Sequence, residues 1–173
     1  ENYTLKIIND EVQKKLDKGN RVIEKLKADP TMEQLIKLVE EMYSEINFLE
    51  GRLQIYYLHP IQKSHMETAL KTINNSLNND DLSLEVSVAE LRQHPWILIG
   101  WGCNSETYKN IGILKEKWLN RIKETKIIIL GKLGQTQWDF YHPTEQLLSE
   151  REVYRKEIFQ QYRQLIPLKG KIK

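Results

Sequence analysis

The feature that constrains the fold most is a regular run of apolar residues between positions 32 and 56. Their spacing alternates between three and four residues, which is typical of a helix that buries one side along its whole length. The residues are Met32, Leu35, Val39, Met42, Ile46, Leu49, Leu53 and Tyr56. We call this row of residues the seam. We expect one helix from residue 32 to about residue 58, whose seam packs against other helices of the chain or, as a coiled coil, against a second chain.

Other segments show helical periodicity as well. Asp29 and Pro30 suit a helix start, because Asp caps free N–H groups and Pro lacks one. Residues 82–88 alternate like a strand, but Ser87 and Glu90 have the spacing of a capping box, so we favour a short helix over 88–94. Further helices are predicted over residues 5–26, 60–77, from about 105 to 130, and 141–166.

Residues 95–103 interrupt this helical pattern with two tryptophans, two glycines and Cys103, the single cysteine. One interpretation makes Cys103 a nucleophile activated by His94 near a helix start. A second places Trp96 and Trp101 at a lipid interface, although few basic residues flank them. We favour a third, in which residues 95–103 form a buried, non-helical plug, since tryptophans supply large apolar area.

Length and composition indicate one globular domain. The chain has 173 residues, of which 40% are hydrophobic and 29% charged, with few glycines or prolines. It begins with Glu1, so we expect a fragment of a larger chain. One cysteine favours the cytoplasm or another reducing compartment. The longest apolar run, residues 96–99, is too short to cross a bilayer, so no integral membrane segment is expected.

Candidate chemistry is sparse. No two of the four histidines have the spacing of metal ligands on one helix, and no glycine-rich phosphate loop occurs, so no metal or cofactor is predicted. A basic region at 109–132 holds the candidate phosphate-contacting residues, which could grip a nucleic-acid backbone. They are Lys115, Lys117, Arg121, Lys123 and Lys126.

Together these patterns predict an all-α fold, an antiparallel bundle of five or six helices with the apolar plug. The leading functional hypothesis is a non-catalytic helical module for protein–protein interaction or scaffolding, with a protein partner or self-association. Its candidate interface residues are Val39, Met42, Ile46 and Leu49. The alternative is an accessory subunit that binds nucleic acid through residues 109–132, and the third is an enzyme that uses Cys103.

Overall fold

The computed structural model describes residues 29–45, 51–59, 66–76, 86–144 and 147–166. Within them the helices are α1 (Pro30–Met42), α2 (Met66–Ser76), α3 (Val88–Leu91), α4 (Lys109–Thr125) and α5 (Leu148–Leu165). The strands are β1 (Trp96–Leu98) and β2 (Ile128–Leu130), which form a parallel two-stranded sheet. The fold is therefore mixed, and the prediction of an all-α bundle is wrong.

The two strands account for two apolar runs that the sequence analysis assigned to a plug and to the end of a helix. Trp96 pairs with Ile128 and Leu98 with Leu130, so β1 and β2 run in the same direction. Parallel strands need a long crossover connection, which α4 supplies. The run at 96–99 is thus a strand instead of a plug, and the run at 127–130 is a second strand instead of the end of a helix.

The sheet lies between two layers of helices. Alternate strand residues point to opposite faces, and Ile97, Ile99 and Ile129 pack into a core formed with α2, α3 and α4. Trp96, Leu98, Ile128 and Leu130 belong to a second core, formed with α1 and α5. Because both faces are covered by apolar side chains, both strands consist of uninterrupted apolar residues.

Helix α1 begins as predicted but is much shorter. Asp29 Oδ1 accepts a hydrogen bond from Met32 N at 2.8 Å, and Pro30 occupies the first turn. The helix ends at Met42, and residues 51–59 are not helical. A continuous helix to about residue 58 is therefore wrong, and with it the coiled-coil interpretation of the seam.

Helices α1 and α5 run parallel to each other. Thr31 lies beside Thr144, Arg155 contacts Glu41, and Arg163 contacts Glu45, so positions increase together along both helices. The expected antiparallel arrangement is wrong for this pair. Parallel neighbours require a long connection, and the sheet with α4 lies within it.

Several local predictions are confirmed. Ser87 Oγ accepts from Glu90 N at 3.1 Å and caps α3, although this helix is shorter than residues 88–94. The helical periodicity predicts buried sides for α4 and α5, and these are buried at Ile111, Leu114, Trp118, Ile122, Tyr154, Ile158 and Tyr162. Leu147 and Leu165, expected on the same side of α5, are instead exposed. The helix predicted over residues 5–26 lies outside the described residues. No helix in the described ranges has the length and apolar character needed to span a bilayer.

Candidate functional site at the carboxyl edge of the sheet

The loops that follow β1 and β2 leave the sheet at the same edge and are joined there. Phe140 bridges both, since Gly102 N donates to Phe140 O at 2.8 Å and Leu133 pairs with Phe140 on the other side. Gly131 allows this approach, because a Cβ at that position would lie 2.6 Å from Cδ1 of the Phe140 ring. We call this region the carboxyl edge, comprising residues 100–108 and 131–141.

Lys115 of α4 holds the carboxyl edge together from inside. Its side chain is 0% exposed. Its Nζ lies 2.6 Å from Gly102 O, 2.6 Å from Asn104 Oδ1 and 2.7 Å from Asp139 Oδ1. An ammonium group has three donors, so these three acceptors use all of them.

Asp139 receives hydrogen bonds from both loops. Its Oδ1 also accepts from Ser105 Oγ at 2.6 Å and Ser105 N at 3.3 Å, while Oδ2 accepts from Thr136 Oγ1 at 2.8 Å. Burial opposes ionisation and by itself would raise the pKa of Asp139. The hydrogen bonds from Lys115, Ser105 and Thr136 outweigh burial and leave this pKa below its ordinary value.

The same hydrogen bonds make Asp139 a poor catalytic base and Lys115 a poor nucleophile. A carboxylate with a lowered pKa is a weak base, and a catalytic base works best with a pKa near the working pH. An ammonium group bonded to a carboxylate and two further oxygens has no lone pair with which to attack a substrate. The arrangement of Lys115, Asp139 and Ser105 therefore suits the fixing of two loops better than proton transfer or nucleophilic attack.

An open depression of about 350 Å³ lies beside this network. One wall is a stripe of α4 with helical spacing, and the other is the loop that carries Trp138, whose carbonyl accepts from Trp101 Nε1 at 2.7 Å. Ser105 and Thr136, both bonded to Asp139, contribute to its lining. We call it the edge depression; it is lined by Ser105, Glu106, Lys109, Gly112, Ile113, Glu116, Thr136, Gln137 and Trp138.

The structure does not bring Cys103 and His94 together. Cys103 is exposed in the loop after β1. His94 precedes β1, and its Nε2 shares a hydrogen bond of 2.9 Å with Tyr56 Oη. The two residues lie beyond opposite ends of β1, which alone is about 10 Å long, so the predicted activation of Cys103 by His94 has no geometric support.

The candidate phosphate-contacting residues divide into two groups. Lys115 is buried in the network above and cannot meet a phosphate from solvent, and Arg121 donates to Val86 O at 2.7 Å. Lys117, Lys123 and Lys126 are exposed. The structure thus excludes Lys115 from the predicted phosphate-contacting surface. The sequence alone could not distinguish Lys115 from the neighbouring basic residues.

The candidate interface residues of the predicted seam are also divided. Met42 is buried in the core formed with α5, and Val39 is half-buried. Ile46 and Leu49 lie outside the described residues. Of the described seam residues only Met42 is buried, and the side of α1 that packs inside the molecule is instead formed by Gln34, Leu38 and Met42.

Sequence reasoning missed Asn104 and Asp139 as partners of the buried Lys115. It also missed Ser105 and Thr136 as partners of Asp139. One signal was present, because Lys115 shares the helical stripe of Ile111, Trp118 and Ile122, all of them buried. A lysine in the middle of an apolar stripe is expected to find an acceptor inside the protein. Nothing in the local sequence identifies that acceptor.

In the described part of the chain, no group of three His, Cys, Asp or Glu side chains is placed to hold a metal ion. Comparisons of the chain with protein-family models, with curated proteins and with solved structures found no match.

Proposed function

We propose that this chain is a non-catalytic protein-interaction module that binds its partner at the edge depression. The observation that carries the proposal is the open depression whose lining includes Ser105 and Thr136, both held by a saturated buried network. A surface fixed in this way loses little conformational entropy on binding, which favours recognition.

The shape of the edge depression favours a protein partner over a small molecule. Small-molecule sites usually enclose most of their ligand, whereas this depression is open to solvent along one side. Its large apolar residues are Ile113, which is 37% exposed, and half-buried Trp138. Along the α4 wall Ile113 lies between Lys109 and Glu116, so charged residues flank an apolar one, as in protein interfaces with an apolar core and a polar rim.

Light scattering over a concentration series establishes first whether the partner is a second copy of the chain. For a different partner, a photo-crosslinking amino acid is placed at Ile113 and, as a matched control, at Ile36, which is 44% exposed on α1. We expect a specific crosslinked partner from position 113 alone. The partner is then identified by mass spectrometry, and its affinity for the purified chain is measured.

Two substitutions then decide whether the depression is the binding surface. Ile113→Asp should weaken the measured affinity at least tenfold, because it buries a carboxylate at the centre of the interface, while Ile36→Asp should leave it unchanged. Circular dichroism confirms that both variants are folded. Equal affinities of the two variants, or crosslinking from position 36 alone, would refute binding at the edge depression.

Nucleic-acid binding by Lys117, Lys123 and Lys126 is tested separately by fluorescence anisotropy with short DNA and RNA at low salt, where phosphate contacts are strongest. A salt-sensitive affinity that falls when these three lysines are replaced by glutamine would favour the accessory-subunit hypothesis over a protein partner.

A further inference from the structure

Strand β1 has one side that no other strand covers in the described residues. Ile99 N donates to Leu130 O at 2.9 Å, so the peptide groups at this position point toward β2. Peptide groups alternate in direction along a strand. Those of Ile97 therefore also point toward β2, and the N–H and C=O groups of Trp96 and Leu98 point to the opposite side.

These four backbone groups have no partner within the described ranges. Among the hydrogen bonds of the described residues, Trp96 takes part only through its indole, whose Nε1 donates to Tyr43 Oη at 3.1 Å. Leu98 lies opposite Leu130 in the sheet, but the hydrogen bonds to β2 are those of its neighbours Ile97 and Ile99. All three residues of β1 are half-buried although helices cover both faces of the sheet. We call the side of the strand that faces away from β2 the β1 edge.

We propose that the β1 edge binds an extended segment of a partner polypeptide, which adds a third strand to the sheet. Two N–H and two C=O groups, repeated every two residues or about 6.6 Å, match the spacing of another extended backbone. Side-chain ligands and small molecules do not reproduce that repeat.

The surroundings of the β1 edge also determine which side chains the partner segment should carry. A third strand would project alternate residues onto the two faces, and both faces continue apolar cores. The partner segment is therefore a short apolar run without proline at the paired positions, similar in character to the residues of β1 itself. A charged residue at any paired position would lie against one of the two cores without a partner.

The inference is independent of the edge depression, because it depends on the backbone of β1 and not on the loops beyond it. Binding at either surface can fail while binding at the other holds. The two are separated experimentally by Ile113→Asp, which alters the depression and leaves the β1 edge unchanged.

Hydrogen exchange of single amides in the isolated chain provides the first test. The N–H groups of Ile97 and Ile99 face β2 and should exchange slowly, whereas those of Trp96 and Leu98 should exchange at least tenfold faster. Equal protection of all four amides would overturn the proposal, because the β1 edge would then already be covered.

Binding is tested with seven-residue peptides selected from a random phage-displayed library on the purified chain and then synthesised. A peptide that adds a strand should slow exchange at Trp96 and Leu98, and N-methylation of alternate peptide residues should abolish binding in one register only. Replacement of the Leu98 amide by an ester removes that N–H and should weaken binding at least fivefold. The same change at Tyr57, an exposed residue, should have no effect.

Three results would overturn the proposal. They are a selection that yields no binding peptide, a peptide that binds without protecting Trp96 and Leu98, and equal sensitivity to N-methylation in both registers.

Discussion

The carboxyl edge and helix α5 both bury polar side chains, but the fold gives them very different surroundings. Lys115 and Asp139 are surrounded by acceptors and donors from α4 and two loops. On α5, Tyr154 is 1% exposed, and within the described part of the chain neither its hydroxyl nor the Nε of Arg151 has a hydrogen-bond partner. Equal burial therefore does not imply equal importance for stability.

The difference follows from the groups that surround each of the two side chains, Lys115 and Tyr154. Lys115 lies where loops with free carbonyl and carboxylate groups meet. Tyr154 lies in the core between α1, α5 and β2, among side chains such as Leu38, Leu130 and Ile158. Its ring contributes apolar area, but an unpaired buried hydroxyl costs about 1–3 kcal/mol. Burial, with a smaller contribution from the charge of Glu157, raises the pKa of Tyr154 well above its ordinary value.

The largest effect is expected from Asp139→Asn, which leaves the charge of Lys115 buried without its counter-ion. Loss of one partner of a buried ion pair typically lowers the free energy of unfolding by about 3–5 kcal/mol. Urea denaturation measures it, with Glu152→Gln as the control, because the Glu152–Lys156 pair is exposed and should contribute nothing measurable. A loss below about 1 kcal/mol for Asp139→Asn would show that the network is not a stabilising unit.

Removal of both charges should be less harmful than removal of one. In the double variant Lys115→Met with Asp139→Leu, no buried charge remains, and such replacements are often neutral or stabilising. We expect the double variant to be more stable than Asp139→Asn alone. A double variant whose loss equals the sum of the two single losses would mean that Lys115 and Asp139 act independently.

Acid should weaken the carboxyl edge in a way that depends on Asp139. Its pKa is lower in the folded protein than the ordinary 3.8, so the folded state favours the ionised form. The resulting stabilisation is present above the ordinary pKa and is lost as the pH falls through the folded value. Between pH 6 and pH 2, the free energy of unfolding should fall more for the wild type than for Asp139→Asn. Parallel profiles would assign the acid sensitivity to other carboxylates.

Ser105→Ala should have a moderate effect, because it removes one hydrogen bond to a charged group while Ser105 N still donates to Asp139. A loss of about 1.5–3 kcal/mol is typical of such a bond. Thermal and urea unfolding measure it against Ser149→Ala, an exposed position of α5. If both serine variants lose the same stability, the hydroxyl of Ser105 has no special role in the network.

The smallest effect, and one of opposite sign, is expected from Tyr154→Phe. The variant keeps the ring and removes a hydroxyl that lacks a partner, so stability should stay constant or rise by up to about 1 kcal/mol. Tyr57→Phe, at an exposed residue, is the matched control. A clear loss of stability in Tyr154→Phe would show that the hydroxyl is paired in solution, and the contrast with the carboxyl edge would disappear.

The sequence predicted helices where local signals are strong. The cap formed by Asp29, the cap formed by Ser87 and most of the buried faces of α4 and α5 follow from spacing and side-chain type. It did not predict where α1 ends, because the apolar rhythm continues past Met42 without a glycine or proline until Gly51.

Strands β1 and β2 were not predicted from the sequence, for a different reason. A continuous apolar run of three or four residues fits a buried strand and a helix equally well. Two details favoured strands: the consecutive isoleucines at 127–129, and a glycine directly after each run, Gly100 and Gly131. The candidate site was harder still, because Asp139 lies 24 positions from Lys115, and such a pairing is set by the folded chain.

The parallel packing of α1 and α5 has a consequence for synthesis of the chain. Gln34 contacts Arg155, which follows it by 121 positions. At translation rates of about 5–20 residues per second, Gln34 is synthesised roughly 6–24 s before Arg155. The unit of β1, α4 and β2 can be complete before α5 exists. During this interval the apolar side of α1 around Leu38 is available to chaperones and to neighbouring nascent chains, so slower translation of residues 140–165 should increase aggregation.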